Sequence, residues 1–437
     1  MKFLPYTFRT GLYLCLVFLL PFCTPNATKE SNKDTKEDAS KPENKGEAKK
    51  GGGEDTAQIA EKEEKGKPRI KRQKPPRVTA DRKYNDIARF ISGLEGEEGT
   101  ALASYESNEA WKSYAQNTKS QWQSMEAKLP KMQQWAGKEL KHINQKGGTL
   151  FYPFAGADFL HATTFFPEFD EIVMMGLEPI GSLPDFDNIN KKGAIPAYFN
   201  GIRQSLISIL QYSFFQTLHM ANDFNKRVTM DIDGTLPVLM FFIERTNHRI
   251  LKYEKVAISA EGKIINASAV TTQGAYYGTK ITYRRESNPD EQKTIYYFAV
   301  NLGDEAYSLL GGLPKRADLK GYIESLDITA TYLKSASYLM YNGSFSTIRN
   351  MILDQSQYVL QDDSGMPLAN FTTGKNQWDL LFYGVYAGPI PLFSGRWQND
   401  MKVAYQTPAQ VRPLPFGIGY QYREGSSNLM LATRKAK

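Results

Sequence analysis

A chain of 437 residues with 41% hydrophobic and 12% aromatic residues can bury a large core, and its length predicts two or three compact units. The formal net charge of +7 comes partly from one basic linker, so it is not read as nucleic-acid binding. The two cysteines, Cys15 and Cys23, both lie at the N-terminus, which excludes a disulfide framework, a Cys metal site and a Cys nucleophile from the mature domain.

The opening MKFLPYTFRTGLYLCLVFLLPFC has a basic start, Lys2 and Arg9, and an apolar run from Gly11 to Phe22. That run is shorter than the roughly twenty apolar residues of a spanning helix and predicts an export signal. Leu20, Pro21 and Phe22 leading into Cys23 resemble a bacterial lipoprotein signal, in which a Leu three residues before the Cys marks cleavage and lipid attachment. Phe22 stands where that pattern prefers a small residue. The resemblance implies a signal peptide over residues 1–22, a lipid on Cys23 and a chain anchored in the cell envelope, on the periplasmic side or the cell surface.

Residues 23–78 are Lys, Glu, Asp, Gly, Pro, Ser and Asn with scarcely a large apolar side chain. Such a segment cannot offset its ordering entropy and is expected to be a disordered charged tether, spanning about 40 Å as a flexible coil. Its end, KGKPRIKRQKPPR, is basic without interleaved aromatics, which favours a solvated linker over docking on an acidic polymer.

Residues 79–146 predict a helical subdomain. Ile87, Phe90, Ile91 and Leu94 share one face, Asn108 is placed as an N-cap, and Trp111, Thr118, Trp122, Met125 and Leu129 recur at helical steps until Pro130 breaks the pattern. From Gly147 the pattern changes to an α/β domain over residues 147–437. Strands are expected at Leu150–Phe154, Glu171–Gly176, Val238–Arg245, Lys252–Ala260, Gly278–Arg285, Thr294–Leu302 and Gln357–Gln361, with a buried helix from Tyr198 to Asn222. Hairpin turns are expected at residues 259–263 and 287–292, and two further strands around Glu424–Ser427. The expected fold class is α/β, a mixed sheet with a Rossmann-like βαβ crossover preceded by the helical subdomain.

The crossover is LFYPFAGADFLHATTFFPEFDEIVMMGLEP, Leu150 to Pro179. Its turn carries a single glycine, Gly156, followed by Asp158, where a dinucleotide loop needs three. Glu178 stands at the end of the next strand, near the offset of a ribose-binding carboxylate. A methyltransferase-like site tolerates looser glycine patterns and stays an alternative. MDIDGTL, Met230 to Leu236, resembles the DxDGT motif of haloacid-dehalogenase-like phosphatases, which implies Asp231 as nucleophile, Asp233 as acid/base and a Mg²⁺ ion, with Asp362 and Asp363 of QDDSG as further metal ligands. The apolar run after it reads as a strand where that fold needs a helix, so a polar turn is the competing reading. His161 sits near Asp158 on the crossover helix and is a pocket candidate or a hydrogen-bonded core histidine. No metal-ligand His spacing, GxSxG elbow or Walker loop is present. The aromatics Trp378, Phe382, Tyr383, Tyr386, Phe393, Trp397 and Tyr405 would line a groove or a core.

The set FYPFAGADF, TFFP, GLEP, KSASYLMYNGSFSTIRN, QDDSGMP and PLPFGIGYQYREGSSNLMLA, over roughly residues 100 to 437, is similar to a family of exported bacterial proteins of unknown function. Gly156, Asp158, His161, Glu178, Asp362, Asp363 and Ser364 form the candidate pocket, at strand ends where α/β sheets bind ligands. The expectation is a membrane-anchored lipoprotein with a binding or structural role. Its partners would be the membrane, through the N-terminal lipid, and an envelope ligand or partner, with no cofactor, no metal and no nucleic acid. The alternative is a divergent Rossmann-type, methyltransferase-like enzyme or a Mg-dependent phosphatase.

Overall fold

The computed structural model of the chain describes residues 78–212, 234–271, 274–307, 317–375, 377–407 and 411–435. The signal, Cys23, the tether to residue 77, Asp231 and Asp233 lie outside the described residues, as does the expected helix beyond residue 212. Among the described residues no helix is long and apolar enough to cross a membrane.

The strands are β1 (Thr149–Pro153), β2 (Glu171–Gly176), β3 (His248–Ile258), β4 (Ile264–Asn266), β5 (Tyr276–Arg285), β6 (Lys293–Ala299), β7 (Ile328–Leu333), β8 (Tyr358–Gln361), β9 (Trp378–Gly384), β10 (Val411–Arg412) and β11 (Asn428–Arg434). They form one mixed sheet in the order β10-β9-β11-β8-β7-β1-β2-β6-β5-β3-β4. Its centre, β6-β2-β1-β7-β8, is parallel throughout. β11 runs against both β8 and β9, and β5, β3 and β4 extend the other side with antiparallel pairing. The two predicted hairpin turns are the β3–β4 and β5–β6 connections.

Alternation along the central strands sends side chains to two cores. Leu150 and Tyr152 of β1 face one core, and Phe151 faces the other. Helices Arg82–Ile91, Glu109–Glu126, Leu129–Glu139, Phe159–Phe165, Ile195–Tyr212 and Leu236–Arg245 share the first core with the sheet. Helices Leu319–Glu324 and Ser346–Gln355 fill the second. Asn108 is the predicted N-cap and accepts the Ala110 N–H at 2.9 Å.

Two expectations are corrected. Val238–Arg245 belongs to a helix, Leu236–Arg245, with Pro237 in its first turn and every residue from Leu236 to Glu244 buried. A helix enclosed on all sides has no polar stripe, so its sequence shows the same unbroken apolar run as a buried strand. The C-terminal end supplies one strand, β11, and not two around Glu424–Ser427. The stretch before it is a folded loop in which a Cβ on Gly417 would lie 1.7 Å from Tyr422 O and Gly419 has φ +66°.

Candidate functional site

In chain order the five parallel strands lie third, second, first, fourth, fifth, so the direction of winding reverses between β1 and β7. The helices that follow these two strands also lie on opposite faces: Phe159 and Phe165 sit in the first core, Ile348 and Ile352 in the second. A crevice outside the strand C-termini at such a reversal is where open α/β sheets place ligands. Loops after β1, β7 and β8 bring most of the candidate residues there.

Asp158 caps helix Phe159–Phe165, accepting the His161 N–H at 3.2 Å through Oδ1. Its Oδ2 accepts from Tyr152 Oη at 2.8 Å and faces Lys334 Nζ at 2.6 Å. All four side chains are buried. Burial pushes the Asp158 carboxyl up, but the neighbouring His161 and Lys334 outweigh it and hold the group well below the usual carboxylate range. Burial, with Lys334 acting in the same direction, lowers His161 against the pull of Asp158. With the imidazole neutral, Lys334 is the cation that keeps Asp158 ionised. His161 Nδ1 lies 2.8 Å from Asp158 Oδ1 and 3.0 Å from Lys334 Nζ, and a neutral ring meets only one of them, as donor or as acceptor. Its Nε2 is buried without a partner.

A second carboxylate group adjoins the first through the β7 loop. Asp362 accepts the N–H of Ser335 at 2.9 Å and of Ser364 at 3.0 Å, and Ser364 Oγ accepts the Ala336 N–H at 2.8 Å. These bonds hold a loop in which Ser335, Ser337 and Tyr338 all have φ between +53° and +55°, a region non-glycine residues seldom occupy. Asp363 accepts from Tyr338 Oη and from Asn428 Nδ2, the latter at 3.1 Å. Burial raises Asp362. Burial and the adjoining Asp362 push Asp363 up to about 7. Phe393 and Tyr420 pack over Tyr338, at 5.0 Å and 6.4 Å between ring centroids, and cover this edge of the sheet.

Gly156 lies in the β1 turn with φ +54°, and Glu178 lies beyond β2. A Cβ on Gly176 would stand 2.7 Å from Glu178 Oε2 and 3.2 Å from Gly156 N, so the bare backbone of Gly176 lets the carboxylate approach that turn. Tyr297 Oη donates to Glu178 O at 2.9 Å and reaches Oε2 at 3.3 Å, while Oε1 is buried without a partner. Burial raises the Glu178 carboxyl. The structure thus joins Asp158 with His161, and Asp362 with Asp363 and Ser364, and sets Gly156 and Glu178 together beside them.

Sequence reasoning missed Lys334, Tyr152, Ser335 and Tyr338. Lys334 opens the KSASYLMYNGSFSTIRN stretch, and a lysine directly after the six-residue buried strand ITATYL was its available signal. Gly234 of MDIDGTL packs against Pro179–Gly181, where a Cβ would lie 2.3 Å from Pro179 O. The residues after that motif form a helix, which removes the strand argument against the phosphatase reading while its two aspartates stay outside the described residues. Trp378, Phe382, Tyr383 and Tyr386 are core residues, whereas Trp397 is 45% exposed. Among the described residues, three or more His, Cys, Asp or Glu side chains nowhere converge as metal ligands.

No protein-family model matches the chain, and no curated protein matches its sequence. The chemistry therefore rests on the residues themselves. A seven-residue helix capped by its own carboxylate offers a phosphate no open N-terminus, so the β1 turn does not suit a dinucleotide pyrophosphate.

Proposed function

We propose that the chain is an exported bacterial lipoprotein, anchored in the cell envelope through a lipid on Cys23, whose α/β domain has a binding or structural role. The observation that supports this role over catalysis is the closure of the switch point. Asp158 engages Tyr152, His161 and Lys334, and Asp362 engages two loop N–H groups, so these carboxylates hold the fold where an enzyme would keep them free for a substrate. The helices of residues 79–146 belong to this domain, since they pack into the first core together with the sheet. The partners on this reading are the membrane and an envelope ligand. Mass spectrometry of the N-terminal peptide from membrane-fractionated native protein tests the anchor: an acylated Cys23 is expected. An intact Met1 in the soluble cytoplasmic fraction would overturn it.

A second reading, a Rossmann-type, methyltransferase-like enzyme, is favoured by Glu178. The parallel strands follow the doubly wound order, and this carboxylate follows β2 about twenty residues beyond Gly156, where such folds hold a ribose. Its buried, unpartnered Oε1 suits a ribose hydroxyl. Adenosine and S-adenosylmethionine titrations of the native protein and of Glu178→Gln test this reading. Saturable binding lost in the variant would support it, and no binding by the native protein would remove it.

A further inference from the structure

We infer that a cleft of about 630 Å³ at the end of the sheet where β1 and β2 begin, opposite the switch point, binds a neutral oligosaccharide. Its walls are the helices Glu109–Glu126 and Leu129–Glu139, the residues just before β1 and β2, and the paired ends of β3 and β5. The volume falls inside the range of roughly 300–1,000 Å³ typical of small-ligand sites. The cleft shares no residue with the Asp158 and Asp362 groups and does not rest on the function proposed above.

The ligand class follows from which lining groups are already engaged. Arg285 is held by Glu168 at 2.8 Å and by Glu291, so its charge is matched inside the protein. Arg245 lies over the rings of Trp122 and Phe241 and donates to Ser92 O. His248 is buried, its Nδ1 is 2.9 Å from Thr246 Oγ1, and burial keeps it neutral near pH 7. Of the exposed charges at the rim, Glu126 and Lys141 are opposite in sign and Glu168 is the one paired with Arg285. What remains is a set of neutral amides, Gln133, Asn144, Gln145 and Asn247, beside an apolar floor that includes Leu129 and Ala136. Amides that both donate and accept suit hydroxyl groups, and the floor suits the C–H face of a sugar ring. Arg245 Nε is a further buried donor without a partner, and a sugar hydroxyl can accept from it as from the amides.

Two further features point to an occupant. Asn144 donates to Phe165 O at 2.9 Å, but its Oδ1 is buried without a partner, an acceptor left for a ligand hydroxyl. Gly137 stands inside helix Leu129–Glu139, where glycine costs about 1 kcal/mol relative to alanine. Its φ is not left-handed, and a Cβ there would meet nothing within 4 Å. Neither backbone nor packing requires this glycine. Its bare backbone widens the cleft it lines.

The test titrates the full chain in detergent with triacetylchitotriose, maltotriose and trialanine, following heat and intrinsic fluorescence. Saturable binding of a trisaccharide is expected, weakened about tenfold or more in Gly137→Leu and several-fold in Gln133→Ala. Gly137→Leu should melt no lower than the parent, because leucine is the better helix former. The inference fails if neither sugar binds up to about 10 mM, if trialanine alone binds, or if both variants bind the sugar as the parent does. Should Gly137→Leu misfold, Gln133→Ala, altered at an exposed side chain, decides between these outcomes.

Discussion

Lys334 Nζ lies 2.6 Å from Asp158 Oδ2, so one buried ion pair fastens the residue after β7 to the cap of the helix after β1. The two strands belong to opposite halves of the winding and are paired neighbours in the sheet.

Removing one partner should therefore cost more than removing both. Lys334→Met leaves the Asp158 carboxylate buried without its cation and should destabilise the fold by about 3–5 kcal/mol. The double variant Asp158→Asn, Lys334→Met keeps a capping side chain and removes both charges, so its loss should fall well below the sum of the single losses. Denaturant unfolding of the three variants measures the coupling, and strict additivity would deny it.

Asp363 predicts a pH dependence. Its folded value, pushed up to about 7, lies above that of an unfolded Asp, so the native state binds a proton the unfolded chain has lost. The contribution is complete below about pH 4 and is lost as pH rises through about 7. Asp363→Asn should flatten this limb, by up to about 1.4 kcal/mol per pH unit. Melting temperatures from pH 4 to 8 read it directly.

His248 acts with the opposite sign. Burial holds its imidazole at about 4, below the value of about 6.5 for an unfolded histidine. Stability from this neutral ring is present above about pH 6.5 and is lost as pH falls towards 4. His248→Gln should remove that acid limb and leave the Asp363 limb steeper in the variant than in the parent, where the two slopes oppose.

Gly419 should resist substitution. Its φ is +66°, and a Cβ there would lie 2.3 Å from Asp362 Oδ2. Gly419→Ala combines backbone strain with that contact and should cost about 1–3 kcal/mol, measured by thermal unfolding. Gly137→Ala, with open space and an ordinary helical φ, should be neutral or stabilising and serves as the control.

Much of the sheet is legible in the sequence alone. Alternation and turn residues locate β1, β2, β5, β6 and β8, because each strand is short and bounded by polar or glycine-rich loops. Helix Leu236–Arg245 is not legible, since burial on every side erases the periodicity that separates a helix from a strand. At the site, Asp158 and His161 are readable together because they stand three positions apart. Their link to Lys334 spans 173 residues and follows from strand order, which no local pattern encodes. The cleft is illegible for the same reason, since its lining runs from Trp122 to Ser287.

Among the described residues the outermost strands of the sheet are its shortest, three residues in β4 and two in β10, and β4 covers only Val256–Ile258 of the eleven-residue β3. An eleven-stranded sheet with long bare margins would template pairing with neighbouring copies. For molecules concentrated in two dimensions, as a lipid on Cys23 would concentrate them, collisions between copies are frequent and similarly oriented. Short outer strands, and the charges of Lys252, Glu254 and Lys255 on the uncovered part of β3, oppose such pairing, so crowding on a surface need not end in fibrils.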